Sequence, residues 1–191
     1  SSSATKLAEP TLRRVINAHF RLGQPANAAT ITSFVTTPAV PEALRVDALL
    51  ALGHWAKPSG RDRVVGLWRP LPARDAETAP AALRPVITGL LTSGPNDLRV
   101  TAAKIASKLK LTNALPALFD VVADTKSTAV VRVAALEALS DLKAPRLSEA
   151  VKLVQTDADE TVRIQANRLF IRLNPKDAAP LLARLLDTGT I

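Results

Sequence analysis

The chain has 191 residues, 47% of them hydrophobic, and a formal net charge of +8. This is enough to bury a sizeable core, either as one domain or as one continuous array. The absence of cysteine excludes disulfides, thiolate metal sites, cysteine nucleophiles and covalent c-type haem attachment within the chain. Only 3% of residues are aromatic, so we expect a core of Ala, Leu and Val, which suits closely packed helices.

The chain lacks an apolar run of 18 residues, so we expect no membrane insertion. It begins at Ser1 without a Met, and no signal-peptide pattern follows. We therefore expect these residues to be part of a longer protein.

The first element, residues 10–37, is interpreted as a degenerate copy of a helical repeat that is clearer later in the chain. Val15 stands where the later copies have an arginine. Ala18 and Leu22 are predicted to keep the apolar face of this helix, because their spacing places them on one side.

The second copy, residues 41–95, is predicted to be enlarged. Leu44-Arg45-Val46-Asp47-Ala48 begins its first helix. Residues 53–75, called the insertion below, contain both tryptophans, Trp55 and Trp68, and several prolines, which favour an irregular connection. The helix that resumes near Pro80 should start late or kink at Pro85.

Regular copies fill residues 96–191. Their first helices begin at Leu98-Arg99-Val100, Val131-Arg132-Val133 and Val162-Arg163-Ile164, with arginines 33 and 31 residues apart. In every copy an alanine follows three residues after the arginine, on one apolar helix face. Second helices are predicted at residues 112–123, 145–156 and 175–187, with Pro145 and Pro175 at first helical positions and Asn174 capping the last.

Four arginines, Arg45, Arg99, Arg132 and Arg163, recur in the first turn of these helices. A cation is disfavoured there because this end of the helix dipole is positive. We therefore predict a structural ladder in which each arginine binds carboxylates or carbonyls of the turns in its own or the adjacent repeat. Acidic residues lie in or near those turns: Asp97, Asp124, Asp157, Asp159 and Glu160.

The unit of helix, short turn and helix cannot bury its apolar faces alone, so neighbouring units must stack. The predicted fold is all-α: a right-handed α-solenoid of about five helical hairpins, forming a single repeat domain over residues 1–191. The Asp-rich turn followed by Val-Arg-x-x-Ala-x-x-Ala-Leu resembles HEAT-type repeats, and the short period resembles their phycobilisome-lyase-like subclass.

The insertion is the leading candidate for partner contact, because Trp and Arg dominate binding hot spots and long loops in compact arrays are often functional. The candidate contact residues are Trp55, Arg61, Arg63, Trp68 and Arg69. The alternative is that both tryptophans tuck the loop onto the first two repeats while the charges face solvent.

Residues 44–71 also resemble the HEAT region of large bacterial membrane-bound dehydrogenase-like proteins, which combine a β-propeller, HEAT repeats and a c-type haem domain. The resemblance implies an internal connector of an exported or periplasmic multidomain protein. It assigns no haem or dehydrogenase residue here, because the Cys-x-x-Cys-His haem motif has no match.

Catalytic, cofactor-binding and metal-binding residues are not predicted. His19 and His54, the only histidines, do not have the spacing of a metal pair, and no nucleophile elbow or glycine-rich phosphate loop occurs. The predicted function is a non-catalytic scaffold that binds a protein or neighbouring domains of its own chain.

Two other functions remain alternatives. The first is a DNA-binding HEAT-like protein of the alkylation-repair glycosylase type, which the positive charge permits. The lack of Tyr, and the confinement of both tryptophans to the insertion, count against it. The second is a bilin lyase, to which only the repeat subclass points.

Overall fold

The computed structural model describes residues 9–177 and Ala179. Within this part of the chain the fold is all-α, as predicted: the only extended pairing is one isolated bridge between Arg61 and Trp68. The ten described helices are α1 (Glu9–Leu22), α2 (Pro25–Thr36), α3 (Glu42–Gly53), α4 (Thr78–Leu83), α5 (Ile87–Ser93), α6 (Asn96–Lys108), α7 (Leu115–Ala123), α8 (Ala129–Asp141), α9 (Leu147–Val154) and α10 (Glu160–Leu173).

The described chain divides into two compact units, the first ending at Leu111 and the second beginning at Thr112. In the first unit, α2 packs against α1, α3 and α4, and α6 packs against α3 and α5. In the second unit, α7, α8 and α9 pack against one another, and α10 packs against α8 and α9. In the second unit, helices that follow one another in sequence are therefore neighbours in space, as in an α-solenoid; in the first unit this holds for α1 to α3 and for α5 and α6.

The alanines that follow each arginine by three residues lie in the core. Ala48, Ala102, Ala135 and Ala166 are all fully buried. The residue just before each arginine is also buried. A side chain as small as alanine allows neighbouring helices to approach closely, which explains why this position keeps one residue type in all four copies.

Prolines interrupt the second repeat as predicted. α4 ends at Leu83 and α5 begins at Ile87, with Pro85 in the turn between them. Pro85 lacks an amide hydrogen for the helical ladder, so two short helices replace one.

Two local predictions were wrong. On α1 the buried residues are Ile16 and Phe20, whereas Ala18 is exposed and Leu22 is 66% exposed. α9 begins at Leu147, two residues after Pro145. Asn174 is the C-cap of α10, and its side-chain amide donates to the carbonyl of Phe170 at 3.0 Å. The helix that it is predicted to cap lies mostly outside the described residues.

The predicted last helix, residues 175–187, lies mostly outside the described residues. Its described part is a short 3₁₀ turn, Pro175–Asp177. Among the residues that the structure describes, no helix combines the length and the hydrophobicity needed to cross a bilayer.

Candidate functional site

The insertion folds into a small hairpin, residues 60–69. The amide of Asp62 donates to the carbonyl of Leu67 at 2.8 Å. The amide of Arg69 donates to the carbonyl of Gly60, also at 2.8 Å. Gly66 closes the turn with φ of +70°, and nothing lies within 4 Å of where its Cβ would stand. Glycine is therefore favoured here by backbone conformation and not by lack of space.

Asp62 anchors the hairpin from inside. Its side chain is only 3% exposed, and its carboxylate accepts hydrogen bonds from the amides of Val64 and Val65 at 2.9 and 3.0 Å. Asn17 and Arg21 of α1 donate to the same carboxylate at 3.2 Å. The bond from the Val65 amide is the largest influence, and the pKa of Asp62 is lowered to about 2.

Arg63 ties the hairpin to α3. Its guanidinium donates to the carbonyl oxygen of Asp47 at 3.0 Å and to the carboxylate of the same residue at 2.6 Å. It also lies 5.7 Å from the ring centroid of Phe20. Asp62 and Arg63, adjacent in sequence, thus fix the hairpin to two different helices.

Arg74 closes the far end of the insertion by stacking between aromatic rings. Its guanidinium carbon lies 4.9 Å from the ring centroid of Phe20 and 4.8 Å from that of Trp55, and the two rings meet edge to face at 6.0 Å. Burial lowers the pKa of Arg74, and the nearby charge of Arg21 lowers it further. A cation held over two ring faces gains cation–π stabilisation, which increases as the contact is desolvated.

The candidate contact residues therefore separate into two groups. Trp55 is 1% exposed, so it is a core residue and cannot touch a partner in this conformation. Arg63 is engaged with Asp47. Arg61, Trp68 and Arg69 are exposed, with Trp68 at 71%.

Sequence reasoning missed two exposed apolar side chains beside them, Val65 at 56% and Leu67 at 54%. The part of the hairpin that carries Val65, Leu67 and Trp68 is called the hairpin tip below. Elsewhere in the described residues, exposed large apolar side chains are not neighbours in sequence: Leu22, Leu50, Val130, Leu153 and Leu173. A signal for the tip was present in the sequence, since Val-Val-Gly-Leu-Trp is an apolar run around a glycine turn.

Three of the four ladder arginines make the same type of hydrogen bond. In each case Nε donates to a carbonyl in the last turn of the preceding helix: Arg45 to Val35 at 2.8 Å, Arg99 to Leu91 at 2.7 Å and Arg132 to Val122 at 3.0 Å. Carbonyls in a last helical turn lack intrahelical donors and carry the negative end of the helix dipole. Each cation therefore satisfies the end of one helix while it stands at the start of the next.

Arg132 and Arg163 converge on the turn before α10. Arg132 is 4% exposed, and its Nη1 and Nη2 donate to the two carboxylate oxygens of Asp157 in a bidentate pair. Nη1 of Arg163 donates to the carbonyls of Asp157 and Ala158 at 2.7 and 2.8 Å. Hydrogen bonds from Arg132 are the main reason that the pKa of Asp157 is lowered. The structural role of the four arginines stays a prediction.

Both histidines make local contacts. A ring nitrogen of His19 lies 2.9 Å from the side-chain amide of Asn27, and Nδ1 of His54 lies 2.9 Å from the carbonyl oxygen of Leu50, one turn earlier in α3. Within the described ranges, no group of three His, Cys, Asp or Glu side chains is arranged to hold a metal ion.

Residues 83–168 match the protein-family model described as HEAT repeats. The match supports a HEAT-like repeat fold for this region. The match begins at the last residue of α4 and ends within α10, so it includes most of the regular copies but not the insertion. No curated protein and no solved structure matches the chain.

Proposed function

We propose that this protein is a non-catalytic, HEAT-like scaffold that binds another protein through the hairpin tip. HEAT repeats commonly serve as protein-interaction surfaces, which supports the general role. The observation that carries the specific proposal is the exposure of Val65, Leu67 and Trp68 on a hairpin whose base is fixed by Asp62.

A rigid base matters because binding then orders few additional groups. Asp62, Arg63 and Arg74 hold the insertion to α1 and α3 through hydrogen bonds, ion pairs and ring contacts. A loop held in place before binding loses less conformational entropy on association than a mobile loop, so more of the contact energy appears as affinity.

The chemistry of the tip indicates the chemistry of its partner. Trp68 and Leu67 offer apolar area, and Arg61 and Arg69 add exposed positive charge beside them. We expect the partner to present an apolar pocket that receives the indole and to carry acidic side chains at its rim. The net charge of +8 favours an acidic partner in the same way.

We also propose that the scaffold is a connector within a multidomain exported oxidoreductase-like protein, with residues 1–191 as one repeat domain. The resemblance of residues 44–71 to the HEAT region of the dehydrogenase-like proteins supports this placement. The sequence of the full-length gene tests it. Flanking propeller and haem domains are the expected result, and a gene that encodes residues 1–191 alone would overturn the connector role.

Site-specific photocrosslinking tests whether the hairpin tip contacts a partner. A benzophenone amino acid is placed at Leu67 in the full-length protein and activated in the cells that produce it, and crosslinked products are identified by mass spectrometry. Matched controls carry the same probe at Leu22 and Leu153, which are 66% and 52% exposed. We expect one protein segment to crosslink strongly from position 67, and much less from that position when Arg61 and Arg69 are both changed to Glu.

Two outcomes contradict the proposal. The first is equal crosslinking from all three positions, which would indicate random encounters. The second is salt-sensitive binding of duplex DNA with an affinity in the range of specific protein–DNA complexes, which would favour the DNA-binding alternative.

A further inference from the structure

A cleft in the first unit lies beside the broken second repeat. It is formed by α2, α3 and α5, has a volume of about 390 Å³, and is lined by Pro38, Arg45, Val86, Gly89 and Ser93, among others. The volume falls in the range of about 300–1,000 Å³ that is typical of small-ligand sites. Most of the lining is apolar, and Arg45 is its only charged residue.

The guanidinium groups of Arg45 and Arg132 differ in their hydrogen-bond acceptors. Both arginines donate from Nε to a carbonyl at the end of the preceding helix. Both Nη atoms of Arg132 bind the carboxylate of Asp157. Among the described residues, neither Nη atom of Arg45 has an acceptor, and no carboxylate forms an ion pair with it.

The copy that contains Arg132 provides a comparison for this position. Asp157 stands six residues before Arg163, the arginine of the next copy. The residue six before Arg99, which is the next arginine after Arg45, is Ser93. Ser93 lines the same cleft as Arg45. The position that supplies a carboxylate to Arg132 thus supplies only a hydroxyl beside Arg45.

We propose that this cleft is a carboxylate-binding site, in which an aspartate or glutamate side chain of a partner protein takes the place that Asp157 takes against Arg132. A guanidinium presents two parallel N–H donors that match the two oxygens of a carboxylate. The apolar walls indicate that the acidic residue lies between apolar neighbours. The net charge of +8 favours such a partner. This inference deepens the proposed scaffold function with a contact separate from the hairpin tip.

The test uses two blocked peptides, acetyl-Leu-Asp-Val-amide and its asparagine counterpart, titrated into the full chain. The NMR signal of the Arg45 Nε–H reports binding. We expect the aspartate peptide to shift this signal saturably and the asparagine peptide to bind at least about tenfold more weakly, because charge-assisted bidentate bonds are stronger than neutral ones.

The key variant is G89L, because it blocks the cleft without changing Arg45. A Cβ built at Gly89 meets no atom within 4 Å, and leucine favours helix more than glycine does. This variant should fold normally and bind the aspartate peptide at least about tenfold more weakly, since the leucine fills space that the peptide needs. Arg45→Lys should weaken binding similarly, because an ammonium lacks the paired donors.

Two controls separate this site from the rest of the molecule. Arg13→Gln removes a charge from an exposed position on α1, and Trp68→Ala alters only the hairpin tip. Both variants should bind the aspartate peptide as the unaltered chain does. If the aspartate peptide binds but position 67 does not crosslink, only the proposal that the hairpin tip binds a partner is rejected, and the carboxylate site stands.

Four results would overturn the carboxylate site. These are the absence of a saturable response, equal binding of the two peptides, an unchanged affinity in the folded G89L variant, and displacement of the peptide by inorganic phosphate at lower concentration than by acetate. The last result would identify a phosphate site instead.

Discussion

Arg132→Ala is the sharpest test of the predicted arginine ladder. The substitution removes three contacts: the Nε bond to the carbonyl of Val122, and both bonds to Asp157. It also leaves the side chain of Asp157, only 9% exposed, without its hydrogen-bonded countercharge, so that only the more distant charge of Arg163 acts on it. Asp157 keeps one donor, the amide of Asp159 at 3.0 Å, so part of its solvation is retained.

The expected loss of stability follows from these contacts. Removing one partner of a buried ion pair usually costs about 3–5 kcal/mol, because the other charge stays buried and unpaired. The remaining amide bond to Asp157 places the expectation at the lower end, about 3 kcal/mol. In a chain of this length each kcal/mol corresponds to about 2–4 °C, so the melting temperature should fall by about 6–12 °C.

Urea unfolding followed by circular dichroism at 222 nm measures the change. Asp157→Ala should destabilise by about 2 kcal/mol, because Arg132, which is only 4% exposed, loses its countercharge but keeps its bond to the carbonyl of Val122. The double variant should lose less than the sum of the two, with a coupling of at least about 1 kcal/mol. Crosslinking from position 67 should persist in folded Arg132→Ala protein. A loss below 1 kcal/mol, or additive single losses, would refute the ladder.

Two further predictions concern the base of the insertion. Asp62→Asn should lower the free energy of unfolding at pH 7 by about 1 kcal/mol: the difference between the ordinary pKa of 3.8 and about 2 corresponds to about 2 kcal/mol, and the asparagine oxygen can still accept from the amides of Val64 and Val65, which reduces the loss. Because the folded pKa lies below the unfolded one, this contribution is present above pH 3.8 and is lost as the pH falls toward 2. Urea midpoints between pH 6 and pH 2 should therefore fall less steeply for Asp62→Asn than for the unaltered chain, and parallel curves would contradict the assignment. Gly23→Ala should destabilise by about 1–2 kcal/mol, since Gly23 has φ of +71° and its Cβ would stand 2.7 Å from Nε of the stacked Arg74. The matched control is Gly89→Ala, because a Cβ at Gly89 has no atom within 4 Å. This variant should be neutral or stabilising in the same thermal melt, since alanine favours helix more than glycine does. Equal effects of the two substitutions would contradict this explanation.

The helices and the buried alanine positions could be predicted because they leave a periodic mark on side-chain type. An alanine at fixed distance from an arginine, in four copies, has few explanations other than a close helix contact. The carbonyl acceptors of Arg45, Arg99 and Arg132 could not be predicted in this way. Every residue has a carbonyl, so the sequence does not mark which one is left unsatisfied at a helix end.

Long-range contacts determine which side chains of the insertion are buried, and these contacts could not be predicted from the sequence. Trp55 and Trp68 have the same chemistry, yet one is buried under Arg74 and the other is 71% exposed. Asp62 reads as a solvated loop acid, but its donors on α1, Asn17 and Arg21, are 45 and 41 residues away in sequence. No pattern within a short window could have paired them.

The face of α1 was mispredicted for a different reason. An alignment of the degenerate copy that puts Val15 at the arginine position predicts that Ala18 lies on the buried side. The structure buries Ile16 and Phe20 instead, and Phe20 packs against Trp55 and Arg74. A helix that must cover the insertion as well as its own repeat follows the geometry of the insertion, and the repeat alignment no longer predicts its face.

One change in repeat length accounts for both candidate contact surfaces. The distance from Arg45 to Arg99 is 54 residues, against 33 and 31 for the later pairs. The added residues build the hairpin, and the helix after them is broken at Pro85, beside the cleft that Arg45 and Ser93 line. If binding depended on the regular repeats alone, shortening the second repeat to the length of the others would leave it intact. If it depends on the enlarged repeat, that single deletion should remove both tip crosslinking and peptide binding.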